Sequence, residues 1–180
     1  LNLDIKNQFI LNALVCLGIL RVLKNHDIPN IKFKWPNDIL SGQFKVCGIL
    51  IENTLNRHLI KSTYIGIGLN VNQINFQNLP KPKSLKAIKQ HRFDRDLLLT
   101  QLVEEIKEIP KELRLHSIRD VITIYKRYLY NYQTPTQFKL PNGMSLNGQI
   151  KDISTDGKLL VQSNTGEEHY YTHKAISQVY

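Results

Sequence analysis

The chain is short of the residues that build staples and metal cages. In 180 residues it has two cysteines, one tryptophan and one methionine. Cys16 and Cys47 sit inside apolar runs, with no CxxC spacing and no Cys/His pairing. That excludes a disulfide framework or a zinc site and marks two reduced core thiols of a cytoplasmic protein. Six histidines are scattered. His169 and His173 are four apart, but Tyr170 and Tyr171 between them indicate a strand, where that spacing makes no ligand pair. A long uncharged run is missing too. Residues 9–23 are apolar but broken by Asn12 and Arg21, short of the roughly 18 apolar residues of a membrane span, so a buried helix is expected. No secretory signal is visible.

What is present suits a folded domain. Apolar residues make up 42% of the chain, enough for a core. The formal charge of +9 is uneven: residues 1–133 hold 20 Lys/Arg against 11 Asp/Glu, while 134–180 hold four against four. The densest basic block is Lys81, Lys83, Lys86, Lys89, Arg92 and Arg95. It can attract phosphates or an acidic partner, although a solvated helix face is the plainer reading. Aromatics do not interleave with the bases as on single-strand platforms, so nucleic acid is not indicated.

Pattern divides the chain near residue 133. Asp4 is placed to cap a helix reaching about residue 24. Residues 31–35 alternate apolar and polar and Pro36 ends that strand, since it has no amide to donate. Residues 46–51 form a near-continuous apolar strand and 59–69 a third, an antiparallel meander. Residues 74–93 read as a loop with one short helix. Asp94 caps a helix to about residue 109, where Pro110 marks an end or a kink, and a second helix spans 117–130. Beyond residue 133, short strands at 136–140, 145–153, 158–163, 167–172 and 177–180 alternate with Asn142-Gly143, Asp156-Gly157 and Thr165-Gly166 turns, the pattern of a small barrel.

Within 19 residues, Lys34-Trp35-Pro36-Asn37-Asp38 and Lys45-Val46-Cys47-Gly48-Ile49-Leu50-Ile51-Glu52 gather two lysines, two acids, an amide and the sole tryptophan. That mixture suits a site for an anionic small molecule beside a nucleotide. Lys45 opens a buried strand, so its ammonium must reach a cleft or solvent, and in a cleft it can neutralise a carboxylate and a phosphate together. The bland alternative is a snorkelling strand-end lysine. Asn37 and Asp38 are either turn chemistry or a functional amide and carboxylate. Trp35 either stacks near a nucleotide or packs in the core. Gly48 leaves room for a ligand or a neighbouring strand. Gly66-x-Gly68 permits close backbone approach or marks a strand irregularity, and Asn70 after it can bond a nucleotide. Glu52 carries no assignment.

These two stretches, followed by Gly66-Ile67-Gly68-Leu69-Asn70-Val71-Asn72, resemble in order and spacing the signature motifs of the biotin protein ligases. The resemblance implies an α+β fold: a mixed, mainly antiparallel sheet with helices on one side, of the class II synthetase kind, over residues 1–133, then an SH3-like barrel over 134–180. It implies ATP-dependent attachment of biotin to a lysine of a biotin carboxyl carrier protein through biotinyl-AMP. Lys45 would contact the carboxyl end of biotin and the α-phosphate of ATP. Asp38 would hold Mg²⁺, directly or through water, or orient the incoming amine. Asn37, Trp35, Gly48 and Asn70 complete the implied biotin and ATP site, and a homodimer is a further expectation. One departure stands out. The family's glycine- and basic-rich loop has no counterpart before Lys34, so the expectation is a chain that lacks the family's N-terminal segment and is poorly active alone. Two other readings stay open: a lipoate–protein ligase-like enzyme, and a non-catalytic basic module that grips nucleic acid.

Overall fold

The computed structural model describes residues 3–76 and 81–179. Leu79 and Pro80, which open the basic block, lie outside the described residues. Nearly every position from residue 9 onward is apolar, and helix α1 (Phe9–Asn25) forms there and is buried on almost all sides. The Asp4 carboxylate caps not α1 itself but a preceding 3-10 turn at Ile5–Asn7, accepting from the Lys6 amide at 2.8 Å. The stretch Ile5–Asn25 is long and apolar enough to cross a membrane, yet 67% of its most apolar window is buried inside the protein. It packs against β1 (Ile31–Lys34), α3 (Arg95–Leu115) and α4 (Ile118–Arg127). One aromatic chain ties these elements: Phe9 meets Tyr125 edge-on at 5.4 Å, and Tyr125 stacks on Phe33 at 4.9 Å.

The first sheet has four strands in the order β1-β2-β3-β4, all antiparallel, with β2 at Asp38–Ser41, β3 at Phe44–Asn56 and β4 at Leu59–Leu69. The expected meander of three strands thus gains one. Asn37-Asp38 looks like turn chemistry, but Ile39 and Leu40 behind it are fully buried, and burying them draws the segment into a ladder on both sides. Helix α2 (Leu85–Lys89) follows, capped by the Ser84 hydroxyl. Asp94 caps α3 as expected, accepting from the Asp96 and Leu97 amides. The helix nevertheless runs through Pro110 to Leu115. Arg21 of α1 grips it on both sides of the proline, at Glu105 (2.7 Å) and Glu112 (3.9 Å), and Ile109 is locked in the core. These contacts offset the hydrogen bond that proline removes.

The second sheet has five antiparallel strands in the order β8-β7-β6-β5-β9: β5 Pro135–Lys139, β6 Ser145–Ile153, β7 Leu159–Ser163, β8 Glu168–Tyr171 and β9 Ser177–Gln178. It does not stand apart. The Gln133 amide donates to Ile150, and Lys126 of α4 pairs with Asp152 of β6 at 2.7 Å. The architecture is α+β, with helices and antiparallel sheets around one shared core.

Candidate functional site

Register decides which side chains meet. Lys34, Asp38, Gly48 and Gly68 are successive partners across β1, β2, β3 and β4. Residues directly opposite in a ladder share a face, so these four form one row. The next rows on that face are Leu50 with Gly66 and Glu52 with Tyr64. Leu50 and Tyr64 are 60% and 65% exposed, so the face is open.

Simple alternation puts Lys45 on the other side, three residues from Gly48. A β-bulge reverses that. Ile39 pairs with Cys47 and Leu40 with Lys45, leaving Val46 as the extra residue. A bulge re-aims the side chains beside it. Val46 is buried, and Lys45 turns back so that its Nζ lies 2.6 Å from Asp38 Oδ1. Gly48 makes room for this pair: a Cβ there would stand 3.4 Å from Lys45 Nζ and 3.6 Å from Asp38 Oδ1. Gly66 and Gly68 extend the bare strip, so the pair stands at the end of a flat backbone floor.

The pair has company. Lys34 is 7% exposed, and burial pulls its ammonium down from 10.5 to about 8. The Asp38 carboxylate opposes that fall, while Lys45 and Lys81 add to it. Lys45 pairs directly with the Asp38 carboxylate, and Lys81 adds its charge near Lys34, so positive charge exceeds negative here and the field favours an anion. Lys81 comes from the basic block, and its side chain is exposed, as the solvated reading expects. Its backbone is nonetheless tied in: the Lys45 amide donates to the Lys81 carbonyl and the Lys83 amide to the Lys45 carbonyl, each at 2.9 Å. The block's first lysines are stitched to the backbone of Lys45 itself. Lys83 lies over the Phe44 ring at 4.6 Å.

Asn37 Nδ2 donates to the Ile49 carbonyl (2.8 Å) and the Ile49 amide donates back to the Asn37 carbonyl (2.9 Å), clamping the corner before Asp38 onto β3. Asn12 of α1 holds the same corner through the Pro36 carbonyl at 2.9 Å. Asn70 reaches the Lys45 and Lys83 carbonyls with Nδ2 at 3.3 and 3.4 Å, so its amide nitrogen braces the bulge. Trp35 is 4% exposed and its indole N–H donates to the Gly157 carbonyl, 2.9 Å away in the second sheet. Structure thus brings Asp38, Lys45, Gly48 and Asn70 together, sets Asn37 beside them as a clamp, and turns the polar edge of Trp35 away. The sequence marks Lys34 as the opening of the Trp35–Asp38 motif and Lys81 as the start of the basic block, but neither signal ties them to Lys45.

Some chemistry is closed. Burial pushes the Cys47 thiol up to about 12 and the Cys16 thiol well above its ordinary value, so neither is a nucleophile. Among the described residues no three His, Cys, Asp or Glu side chains gather for a metal. Mg²⁺ prefers one or two carboxylates with oxygens completing an octahedron. Asp38 is a single carboxylate, paired with an ammonium at 2.6 Å, so a Mg²⁺ held through it would take its other oxygens from water or substrate phosphates. A cavity of about 230 Å³ adjoins the corner, lined by Trp35, Pro36, Asn37, Leu50, Gly157 and His173 among others. A larger one of about 440 Å³ lies between β4 and the start of α3, walled by Ile67, Leu69, Leu98 and Leu102 with Arg95.

Residues 2–72 match the biotin/lipoate A/B protein ligase family. The chain is 28% identical over 146 residues to a bifunctional ligase/repressor BirA of Bacillus subtilis, covering 77% of this chain and 44% of that protein. It is 26% identical over 166 residues to a human biotin–protein ligase, covering 89% of this chain and 22% of that one. It thus spans less than half the length of these relatives. Its fold is that of a biotin protein ligase from Aquifex aeolicus solved with biotin and ATP: TM-score 0.75, 22% identity, 96% of this chain and 72% of the other. A biotin protein ligase-like protein of unknown function from Silicibacter shares the fold at 10% identity, with a TM-score of 0.76 over 94% of this chain and 74% of the other.

Proposed function

On the premise that residues 2–72 carry a biotin/lipoate A/B protein ligase domain, we propose that this protein attaches biotin to a lysine of a carrier protein at the expense of ATP. The observation that carries the reading is the Lys45–Asp38 pair, turned by a bulge onto an open face stripped by three glycines. A biotin carboxylate and the α-phosphate of ATP repel each other as they approach. A fixed ammonium relieves that repulsion most where charge develops. The carboxylate oxygen attacks the α-phosphorus, pyrophosphate leaves, and biotinyl-AMP forms. The carrier lysine, after its ammonium gives a proton to solvent water, attacks the acyl carbon as an amine; a C–N bond replaces the C–O bond, AMP departs with the electron pair, and the remaining excess amine proton passes to water.

In this scheme Lys45 steadies the anions in both steps, and Lys34 and Lys81 add to the field. Asp38 holds Lys45 in place and presents a carboxylate to the incoming ammonium of the carrier. Gly48, Gly66 and Gly68 let the ligand lie flat. Asn37 and Asn70 fix the backbone around the pair, and the Oδ1 atom of each is an acceptor for a ligand donor. The second sheet is read as the SH3-like barrel and as a supporting element. The buried unpaired thiols support a cytoplasmic setting.

Lipoate ligation uses the same adenylation, and the matched family includes it. Biotin is preferred because the human relative is a biotin–protein ligase and the Aquifex neighbour was solved with biotin and ATP. Pyrophosphate exchange with biotin and with lipoate, on this chain and on the longest protein that contains it, tests the choice. Biotin-dependent exchange is expected of the longer protein, and only slow exchange of residues 1–180, where the glycine- and basic-rich loop has no counterpart before Lys34. Lipoate-dependent exchange, or salt-sensitive nucleic-acid binding without either acid, would replace the reading.

A further inference from the structure

The motif corner at Trp35-Pro36-Asn37 is held from three directions, and one of them comes from the second sheet. Asn12 of α1 takes the Pro36 carbonyl and Asn37 is clamped to Ile49. The third hold, from Trp35 Nε1 to the Gly157 carbonyl, spans 122 positions of sequence. Gly157 sits in the β6–β7 turn with φ +88°, a conformation that side chains with a Cβ rarely adopt. A Cβ there would also stand 2.6 Å from Phe9 Cδ2. The turn is rigid in itself: the Gly157 amide donates to Ser154 and the Lys158 amide to the Ser154 hydroxyl, both at 2.9 Å, and Lys158 pairs with Asp156 at 2.8 Å. Phe9, pressed beneath Gly157, leads through Tyr125 to Phe33 in β1, next to Lys34.

We propose that Gly157 is a positioning residue for the anion site: it seats the turn against Phe9 and Trp35, and through them fixes the corner that sets Asp38 and Lys45. This rests on the ligase reading for the identity of the anion, but not for the coupling. A contiguous chain of packed and hydrogen-bonded groups is the physical route for such an effect. Loosening the corner admits water to Lys34, whose depressed titration comes mainly from burial, with Asp38, Lys45 and Lys81 as the charges facing it. The Lys34 midpoint therefore rises when the junction fails.

Three variants of the full chain test this: Gly157→Ala, Trp35→Phe, which removes the indole donor together with part of the buried ring, and Gly166→Ala. Gly166 has the same kind of turn geometry, φ +90°, with nothing within 4 Å of an added Cβ. The readouts are the single indole N–H resonance where Trp35 is retained, the side-chain titration of Lys34, and affinity for a non-hydrolysable biotinyl sulfamoyl adenosine. Gly157→Ala is expected to move the indole signal, raise the Lys34 midpoint by about half a unit and weaken the adenylate analogue about tenfold. Trp35→Phe should give a smaller change in the same direction and Gly166→Ala none. If Trp35→Phe and folded Gly157→Ala leave the Lys34 midpoint unchanged, the junction is structural only and the proposal is wrong. If the wild type ignores the analogue, the ligase reading falls, and the Lys34 titration still decides the coupling.

Discussion

Both sheets have turn glycines of positive φ, Gly42 in the first and Gly143, Gly157 and Gly166 in the second, but their ladder glycines differ. In β3 and β4, Gly48, Gly66 and Gly68 lie in extended positions on an open face, and their value is the side chain they lack. In the second sheet Gly148 of β6 serves packing instead, because a Cβ there would collide with the Gln162 carbonyl of β7. Charge divides the same way. The first sheet sets Lys34 and Lys45 beside Asp38, with Lys81 of the following segment adding charge near Lys34, while the segment carrying the second is neutral by count. The second sheet is thus built for its own closure and for contact. The first leaves a face bare and crowds like charges beside it, a local cost that a fold tolerates where a ligand relieves it.

That contrast is most exposed at Lys45. Lys45→Ala is expected to slow single-turnover adenylation by about 10²–10³, the loss typical for one donor at a developing anion. Lys45→Arg should recover part of it, because a planar fork does not place its charge where a compact ammonium does. Lys139→Ala in β5 should change neither rate nor melting. Near-normal adenylation by folded Lys45→Ala would erase the functional difference between the sheets.

Stability should show the reverse bias. Gly157→Ala combines an unfavourable φ with a collision against Phe9, and about 2–3 kcal/mol of destabilisation is expected. Gly166→Ala, with the same φ and open space, should cost only about 1 kcal/mol. Denaturant midpoints measure both. Equal losses would mean that packing against Phe9 contributes nothing, and that the second sheet merely adjoins the first.

The sequence displays some of this openly. Apolar saturation announces α1, alternation announces β1, and Asn-Gly, Asp-Gly and Thr-Gly mark the hairpins of the second sheet to within a residue or two. Those are local signals. The site also depends on non-local ones. The bulge at Val46 changes which face Lys45 serves, yet a bulge is a mismatch between two strands and neither strand shows it alone. The bonds from Lys81 and Lys83 to Lys45 join residues more than 35 positions apart. Strand β2 hides because Asn37-Asp38 is good turn chemistry as well as a good strand entry. Trp35 was legible as core or as ligand contact, but its use as a donor to Gly157 needed the second sheet in place. Of the two readings of Pro110, an end or a kink, the end is overturned, because the local penalty is offset by Arg21, far away in α1.

Lys34 offers a smaller effect with a definite sign. Its folded value, about 8, lies below its unfolded 10.5, so the unfolded chain binds more protons between those limits. Stability from this group therefore rises with pH from 8 toward 10.5. Cys47, raised by burial to about 12, pulls the other way above roughly pH 9, because its thiol ionises first in the unfolded chain. Cys16, likewise raised by burial, acts in the same direction. Between pH 8 and 9 the melting temperature of the wild type should therefore respond more positively to rising pH than that of Lys34→Met, and this difference isolates Lys34. An unchanged slope in Lys34→Met would show that the buried ammonium is not strained.

Asp156 gives the faintest contrast, from the other sheet. Its carboxyl is held below the usual value first by the Lys158 hydrogen bond and then by Ser154. A depressed acid contributes above its unfolded value and loses that contribution as pH falls through the folded one. The side chain is 39% exposed, so solvent screens the pair and only a few tenths of a kcal/mol are at stake. Asp156→Asn should flatten the acid limb of the melting curve slightly, and 1 M salt should mimic it, because exposed pairs are screened over a few ångströms. Lys34 titrates under a different constraint, burial, which salt does not lift. If salt abolishes the alkaline slope of Lys34 but leaves the acid limb of Asp156 intact, the assignment of buried strain to the first sheet and surface pairing to the second is inverted.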